Sequence, residues 1–372
     1  MRFTLATVLL ILLGGCTAVN PYYDPTKPHH TAEGFKNNYI GSVNKKFSEL
    51  VRWQIERRQQ DLPKPPEKPV PVQAADLAAI KNYNTPGATS STSRPPAITW
   101  IGHAAMLVQA GGLNVLTDPV LSERASPLQF IGPKRAQPPG IALADLPIID
   151  VVLISHNHYD HLDKASVLDI AERSKAAGKP TLFLVPLGMK SWFTDLGIAN
   201  IVEMDWWDRQ VLQGVEFNFT PVQHWSARSF GDRSQTLWGG YAVFAPDLHW
   251  YFSGDSGYSK DFADTKARFA DRLSADKGGG FDLALIAVGA YEPRWFLAEQ
   301  HVNPAEAVQI HKDLGAKRSV GVHWGTFELT DESLDQPPKD LAAARAAQGL
   351  KDEDFSVMAI GETRVLPARP KP

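Results

Sequence analysis

The sequence predicts an α/β fold in which two stacked sheets are covered on both outer faces by helices. Short apolar stretches typical of strands alternate with stretches of helical periodicity along residues 97–372. Hydrophobic residues make up 43% of the 372-residue chain, which is enough to build one large core. A dense group of histidines also follows one apolar stretch directly, and functional sites of layered α/β folds commonly lie beyond strand ends.

This alternation gives the elements in chain order. Predicted strands cover residues 98–101, 104–109, 113–117, 148–155, 181–185, 215–221, 240–245, 249–253, 283–287 and 319–323. Predicted helices cover residues 163–177, 260–269, 304–314 and 339–348. Gly111 and Gly112 predict a turn between the second and third strands, and Gly178 and Pro180 end the first of these helices.

Residues 16–96 are predicted to form an N-terminal arm on this domain. A strap rich in proline and turn-forming residues is expected first, at residues 20–30, where it should run extended over the surface. Linkers are expected at residues 63–71 and in the Ser/Thr/Pro run of residues 85–96. Between them, apolar residues recur at helical spacing among lysines and arginines: Phe47, Leu50, Val51, Trp53 and Ile55. We expect this helix to dock on the main domain by its apolar face, with contact to anionic lipid headgroups as the alternative.

Residues 1–15 have the pattern of a signal peptide. A positive charge precedes an eleven-residue apolar run, whereas a helix that spans a bilayer needs roughly 20 residues. The run ends in Leu13-Gly14-Gly15-Cys16, which resembles the lipobox of bacterial lipoproteins, and Cys16 is the only cysteine of the chain. The alternative is an ordinary cleaved signal with an incidental cysteine.

The lipobox resemblance implies that Cys16 carries a lipid that anchors the protein to a membrane. The expected location is the bacterial cell envelope, facing the periplasm. Thr17 stands where an aspartate is associated with retention in the inner membrane, which favours the outer membrane.

The charge of the chain argues against nucleic acid as a partner. The net charge is −3 and the sequence pI is near 6.4, so no overall basic field attracts a phosphate polymer. A nuclease would also conflict with the export signal.

The group of histidines occupies His156-Asn157-His158-Tyr159-Asp160-His161, at the end of the predicted strand 148–155. Imidazole and carboxylate are the ligands that zinc takes when thiolates are absent. Three histidines packed so densely beside an aspartate would repel one another on protonation unless a metal cation organised them. The sequence therefore predicts a metal site here in preference to a polar loop.

Further candidate ligands follow later apolar strands, namely His224, Asp255 and His323. The order HxHxDH, then H, then the aspartate of SGDSG, then H resembles the dinuclear metallo-β-lactamase superfamily, whose fold is a four-layer αββα sandwich. The resemblance implies two Zn²⁺ ions with Asp255 as the bridging ligand. It assigns the other ligands as His156, His158 and His224 for one ion and Asp160, His161 and His323 for the other.

Residues beside the ligands are implied by the same resemblance. Asp118 in Thr117-Asp118-Pro119 matches an early aspartate that orients a metal ligand. His103 and His301 are expected to donate hydrogen bonds at the site, with loop histidines bonded to backbone as the alternative. The remaining histidines match no ligand pattern and are expected to be surface or structural residues: His29, His30, His249 and His311.

A narrower resemblance is to the N-acyl phosphatidylethanolamine-hydrolysing phospholipase D family. It is carried by residues 100–104, 124–127, 132–135, 154–163, 204–207, 237–240, 289–296, 300–304 and 323–327. It implies hydrolysis of a phospholipid phosphodiester to N-acylethanolamine and phosphatidic acid by a zinc-activated water, with Asp160 and Asp255 as catalytic residues. It also implies that Tyr159, Arg228 and Gln300 hold the phosphate, and it suggests a homodimer.

Two other functions fit the same ligand pattern. One is a hydrolase of the same fold that acts on a lactone, a thioester or a β-lactam. The other is a metal-binding envelope lipoprotein without catalytic turnover.

Overall fold

The computed structural model describes residues 20–83, 94–229 and 231–369. The predicted signal peptide, the lipidation site Cys16 and most of the predicted linker 85–96 lie outside these ranges. Within them, none of the helices combines the length and the apolar character that crossing a membrane requires.

Fourteen strands and eight α-helices are formed by the described residues. The strands are β1 (Ala97–Gly102), β2 (Ala105–Ala110), β3 (Leu113–Thr117), β4 (Val151–Leu153), β5 (Leu182–Pro186), β6 (Ile201–Met204), β7 (Arg209–Leu212), β8 (Val215–Thr220), β9 (Gly240–Phe244), β10 (His249–Phe252), β11 (Leu283–Ala287), β12 (Ser319–Val322), β13 (Phe355–Ser356) and β14 (Thr363–Val365). The helices are α1 (Phe47–Gln59), α2 (Leu77–Lys81), α3 (Lys164–Ala176), α4 (Lys190–Asp195), α5 (Asp261–Arg268), α6 (Arg294–Leu297), α7 (Pro304–Leu314) and α8 (Gln336–Ala347).

The strands form two seven-stranded mixed sheets. The first has the order β14-β1-β2-β3-β4-β5-β6 and the second the order β13-β12-β11-β10-β9-β8-β7. In the first sheet β3 to β6 are parallel, and in the second β10 to β13 are parallel. Each sheet therefore presents carboxyl ends of parallel strands at one edge, where loops can bring ligands together.

The side chains of single strands alternate between two cores. In β5, Leu184 packs into the core between the sheets, whereas its neighbours Phe183 and Val185 pack against α3 and α4 on the outer face. On the far side of the second sheet, α5 and α7 contribute Phe262 and Val308, which belong to the same continuous cluster of buried residues as Leu184. The layers run helix, sheet, sheet, helix, which confirms the predicted αββα sandwich.

The structure differs from the predicted elements mainly at their ends. The predicted strand 148–155 is reduced to β4, because flanking carbonyls accept side-chain hydrogen bonds instead of ladder bonds. Asn114 donates to the Ile148 carbonyl at 2.9 Å, and Thr181 donates to the Ile149 carbonyl at 2.7 Å. The predicted helix 339–348 begins earlier as α8, because prolines at its first turn need no amide partner.

The arm helix docks on the main domain as predicted, but the expectation that it docks by its apolar face is wrong. In α1 only Trp53 is buried; it packs on Phe296 and Leu297, and its indole N–H donates to Asp331 at 2.9 Å. The other apolar residues are exposed, at 79% for Phe47, 40% for Leu50, 39% for Val51 and 51% for Ile55. Trp53 sets the orientation of the helix, because it is buried among apolar residues and also donates a hydrogen bond. The other apolar residues of α1 therefore face outward.

The strap is packed more deeply than the sequence predicts. Phe35, shortly after the strap, belongs to the main hydrophobic core, and His29 and His30 are both buried. Their Nε2 atoms lie 2.7 and 3.0 Å from the two carboxylate oxygens of Asp205, to which Lys27 also donates. These partners hold the pKa of Asp205 low despite its burial. The strap is thus fixed to the loop after β6 by one buried carboxylate.

Replacing Asp205 with alanine is expected to lower the free energy of unfolding by about 3 kcal/mol, because buried polar partners lose their acceptor. Urea unfolding followed by tryptophan fluorescence measures this change. Asp195→Ala at the exposed end of α4 is the matched control and should have little effect. Equal unfolding free energies for the two variants would show that Asp205 does not fix the strap.

Candidate metal centre

The predicted ligands meet where the carboxyl ends of strands from both sheets face each other. The loop after β4 supplies His156 to His161, and the second sheet supplies His224 after β8, Asp255 after β10 and His323 after β12. Although the ligands span more than 160 positions of sequence, from 156 to 323, their donor atoms form one continuous cluster. The sheet packing thereby places every predicted ligand at one site.

Three imidazoles form the first donor set. His156 Nε2 lies 2.8 Å from His158 Nδ1, and His224 Nε2 lies 3.4 Å from the same atom. His156 and His224 are buried, whereas His158 is half-buried. The set therefore opens toward solvent on the side of His158.

Two imidazoles and two carboxylates form the second donor set. His323 Nε2 lies 3.2 Å from Asp160 Oδ2 and 3.1 Å from Asp255 Oδ2. His161 Nε2 lies 3.5 and 3.0 Å from the same two oxygens. Asp255 Oδ2 is also 4.0 Å from His156 Nε2, so this carboxylate lies between the two sets.

The donor atoms fit a pair of divalent ions. Ligands about 2.1 Å from a tetrahedral zinc ion are ~3.4 Å apart, and neighbouring donors within the sets are 2.8 to 3.5 Å apart. His161 Nε2 and Asp255 Oδ1 are buried and have no hydrogen-bond partner among the described residues. Because a buried polar atom needs a partner, a metal ion is the natural occupant of such a place.

Burial and charge prepare these groups to bind cations. Burial lowers the pKa of His158 and of His224 to about 3, so both imidazoles are neutral donors at neutral pH. The pKa of Asp255 is held well below its usual range despite burial, because His161 and His323 stabilise its charge. Conversely, burial would lower the pKa of His323, but Asp255 and Asp160 outweigh it and raise the value to about 9.

Hydrogen bonds behind the cluster fix the orientation of the rings. Asp118 is fully buried; it lies 2.7 Å from His161 Nδ1 and accepts the Ser155 amide at 2.7 Å. On the opposite side, the Gln300 carbonyl lies 2.9 Å from His224 Nδ1. Each contact directs Nε2 of its histidine into the cluster.

The backbone around the cluster is strained. Asp118, His103 and His323 all have positive φ angles, of 30°, 53° and 63°. Such conformations cost about 1–3 kcal/mol each and cluster at functional sites. Gly254, with φ of 56°, lies so close to the loop after β4 that a Cβ atom would be 2.6 Å from Ser155 Cβ. Only glycine therefore allows Asp255 to approach the loop after β4.

His103 and His301 lie beside the cluster. His103 Nε2 is 3.1 Å from Asp160 Oδ2, and its ring lies 4.0 Å from that of His323. His301 Nδ1 is 3.8 Å from Asp255 Oδ2, which is too far for a hydrogen bond. The contact predicted for His103 is present, whereas His301 contacts the site through its ring, 5.2 Å from that of His224.

The predicted phosphate-binding residues lie around the same opening. The Arg228 guanidinium donates to the carbonyls of Asn157 and Leu162, both at 2.8 Å, and lies 4.0 Å over the Tyr159 ring. Gln300 is buried, with its side-chain oxygen unpaired among the described residues. Arg228 therefore stabilises the loop after β4, in addition to any contact that it makes with substrate.

A cavity of about 580 Å³ adjoins this opening. It is lined by Asn157, Leu162 and Arg228 from the site and by Tyr22, Met189 and Trp192 from the surrounding elements. The apolar part of this wall was not predicted from the sequence. Tyr22 belongs to the strap, and Trp192 belongs to α4, a helix whose sequence has no clear apolar periodicity.

A family model described as "Beta-lactamase superfamily domain" matches residues 113–324. The chain belongs to the metallo-β-lactamase superfamily. The predicted family and fold are thereby confirmed. Within the superfamily, homologues named as N-acyl-phosphatidylethanolamine-hydrolyzing phospholipases D are similar to this chain.

One such relative is N-acyl-phosphatidylethanolamine-hydrolyzing phospholipase D 1 of Caenorhabditis elegans, 38% identical over 275 residues, or 71% of this chain and 74% of the relative. The mitochondrial N-acyl-phosphatidylethanolamine-hydrolyzing phospholipase D of Saccharomyces cerevisiae is 37% identical over 265 residues, 69% of this chain and 53% of the relative. Among solved structures, an isothiocyanate hydrolase from Delia radicum gut bacteria matches with a TM-score of 0.56 at 19% identity, over 73% of this chain and all of that chain. This superfamily member is accordingly a metal-dependent hydrolase.

Replacing Asp118 with asparagine is expected to weaken metal binding by about 10- to 100-fold, because the orientation of the His161 ring is no longer fixed by a carboxylate. Competition with a chromophoric zinc chelator measures the affinity. Asp247→Asn, which removes a buried carboxylate that accepts the Gly111 amide, is the control and should leave the affinity unchanged. Unchanged affinity in Asp118→Asn as well would refute the orienting role.

Proposed function

We propose that this hydrolase uses two zinc ions to cleave a phosphodiester, and that its substrate is N-acyl phosphatidylethanolamine. The observation that carries the proposal is the pair of donor sets with Asp255 between them, because two adjacent metals are suited to phosphoryl oxygens. The similarity to relatives named for this reaction supports the choice of substrate.

His156, His158 and His224 would hold one ion, Asp160, His161 and His323 the other, and Asp255 both. When bound, two zinc ions would lower the pKa of a water to about 7 and offset charge on the phosphoryl oxygens. The reaction adds water, breaks the phosphorus–oxygen bond on the N-acylethanolamine side and leaves phosphatidic acid.

The residues around the opening fit a lipid phosphodiester. Arg228 supplies a cation beside the cluster, and a guanidinium is suited to phosphate because it is planar and permanently charged. The adjoining cavity, with Met189 and Trp192 in its wall, offers apolar surface and lies within the ~300–1,000 Å³ range of ligand pockets. The Tyr159 hydroxyl donates a hydrogen bond to the Arg228 carbonyl at 3.0 Å, and this contact stabilises the same side of the opening. The predicted envelope location and anchor on Cys16 would keep such an enzyme beside its substrate.

The substrate is tested by incubating purified protein with N-acyl phosphatidylethanolamine and, separately, with a panel of lactones, thioesters and β-lactams. We expect mass spectrometry to detect N-acylethanolamine and phosphatidic acid. Turnover of the panel without release of phosphatidic acid would instead identify a hydrolase of another bond, and zinc binding without any turnover would identify a metal-binding module.

Asp255→Asn is expected to abolish turnover of bis(p-nitrophenyl) phosphate while the fold is kept, because the shared carboxylate loses its charge. Circular dichroism verifies the fold. Asp264→Asn on α5, whose carboxylate pairs with Lys260 near the surface, is the control. A fully active Asp255→Asn variant would exclude the bridging role.

Arg228→Lys is expected to lower kcat/KM for the phospholipid by about 10- to 100-fold, since a lysine lacks the planar group that lies over the Tyr159 ring and that could bind two phosphate oxygens. Steady-state kinetics measure this effect, with Arg345→Lys on α8 as the control. If both variants retain the original kcat/KM, Arg228 neither braces the loop nor binds the phosphate.

A further inference from the structure

The outer face of α1, defined by Phe47, Leu50, Val51 and Ile55, is a contiguous apolar surface. These residues recur at i, i+3, i+4 and i+8, so they share one side of the helix. Trp53 points to the opposite side and fixes the helix to α6. The helix is thus held by one side and presents the apolar side to solvent.

Nothing in the described part of the chain buries this face. Phe47 is 79% exposed, although burial of such a side chain is worth about 1.5–3 kcal/mol. Scattered exposed apolar residues are ordinary, but four on one helical face indicate an interaction surface.

The charges around the face indicate which partner fits. Between residues 44 and 64 there are six basic side chains and three acidic ones, a local net charge of +3 in a chain whose net charge is −3. Lys46 and Arg58, at the two ends of α1, are both exposed. An apolar stripe flanked by cations is complementary to a bilayer with anionic headgroups, because the stripe reaches the acyl boundary while the cations contact the phosphates.

The location of the face next to the metal centre adds a second argument. The Arg233 guanidinium donates to the Val43 carbonyl, just before α1, and lies 3.7 Å over the ring of Trp225. The Trp225 ring is in turn 4.3 Å from that of His158, on the open side of the centre. The segment that leads into α1 is therefore connected through Arg233 and Trp225 to the open side of the centre.

We propose that the outer face of α1 docks on the surface of an anionic phospholipid bilayer and holds the opening of the metal centre next to it. This inference rests on the proposed function in one respect: a phospholipid substrate would enter the metal centre from the same bilayer surface that α1 contacts. A second copy of the chain is the other occupant that the experiment distinguishes.

A local fluorescent probe tests the contact in the full-length chain. Cys16→Ser removes the only cysteine, and Val51→Cys then introduces a single site for an environment-sensitive nitrobenzoxadiazole label. Val211→Cys on the edge strand β7 is the matched control, because Val51 is 39% exposed and Val211 41%. Both proteins are titrated with phosphatidylcholine vesicles that contain or lack phosphatidylglycerol.

The expected result is a blue shift and intensity gain at position 51 with phosphatidylglycerol vesicles, and none at position 211. The combined change Phe47→Ser and Ile55→Ser should weaken vesicle binding measured by the label about tenfold or more. Lys46→Gln with Arg58→Gln should reduce it about tenfold on anionic vesicles, and less without phosphatidylglycerol. None of these changes should alter turnover of bis(p-nitrophenyl) phosphate, which is water-soluble.

Two results would overturn the proposal. One is an equal response of the labels at positions 51 and 211, which would mean that α1 makes no specific contact. The other is a blue shift at position 51 that depends on protein concentration and needs no vesicles, which would assign the face to a second copy. Loss of phospholipid turnover with an intact vesicle response would contradict the proposed function and leave the docking in place.

Discussion

The structure depends on a concentration of ionisable side chains that a protein interior does not tolerate without compensation. Five imidazoles and two carboxylates converge between the sheets, and five of these seven residues are buried. Burial of a charge is costly unless the charge is paired or binds a metal. In the protein alone, the second donor set is balanced by raised pKa values of His161 and His323 beside Asp160 and Asp255. Divalent ions would displace those protons, so that metal binding is linked to proton release.

Much of the surrounding architecture serves this cluster. The parallel strands β3 to β5 and β10 to β12 end at the same edge, so Asp118, the histidine loop, Asp255 and His323 approach from two sheets. Gly254 permits the closest approach, and Asp118 fixes His161 from behind. The positive φ angles of Asp118 and His323 are the conformational cost of this arrangement, offset by the packing of the two sheets.

The fold and the cluster were predictable because their signals are strong and local. The strand β11 is a continuous apolar run. The helix α7 shows helical periodicity between a capping Asn303 and a terminal Gly315, so both elements can be recognised from their own residues. Histidines and aspartates directly after strands indicated the members of the cluster, because strand ends in such sheets converge. The short edge strands β7 and β14 were missed because half-exposed residues give no clear alternation.

Other features depend on partners that are distant in sequence. The strap was expected at the surface, yet His29 and His30 are buried because Asp205, about 175 positions later, accepts from both. The orientation of α1 depends on Asp331 and α6, which select Trp53 rather than the wider apolar stripe. Helical periodicity identifies an apolar face, but it does not say whether protein or another surface covers it.

We propose that the seven side chains form two adjoining metal sites that share Asp255. The most direct measurement is the zinc content of the purified chain and of His224→Ala and His323→Ala, determined by native mass spectrometry. We expect two zinc ions in the unaltered protein and the loss of one in each variant, because each histidine belongs to a different donor set. A single ion in the unaltered protein, or an unchanged zinc content in both variants, would contradict it.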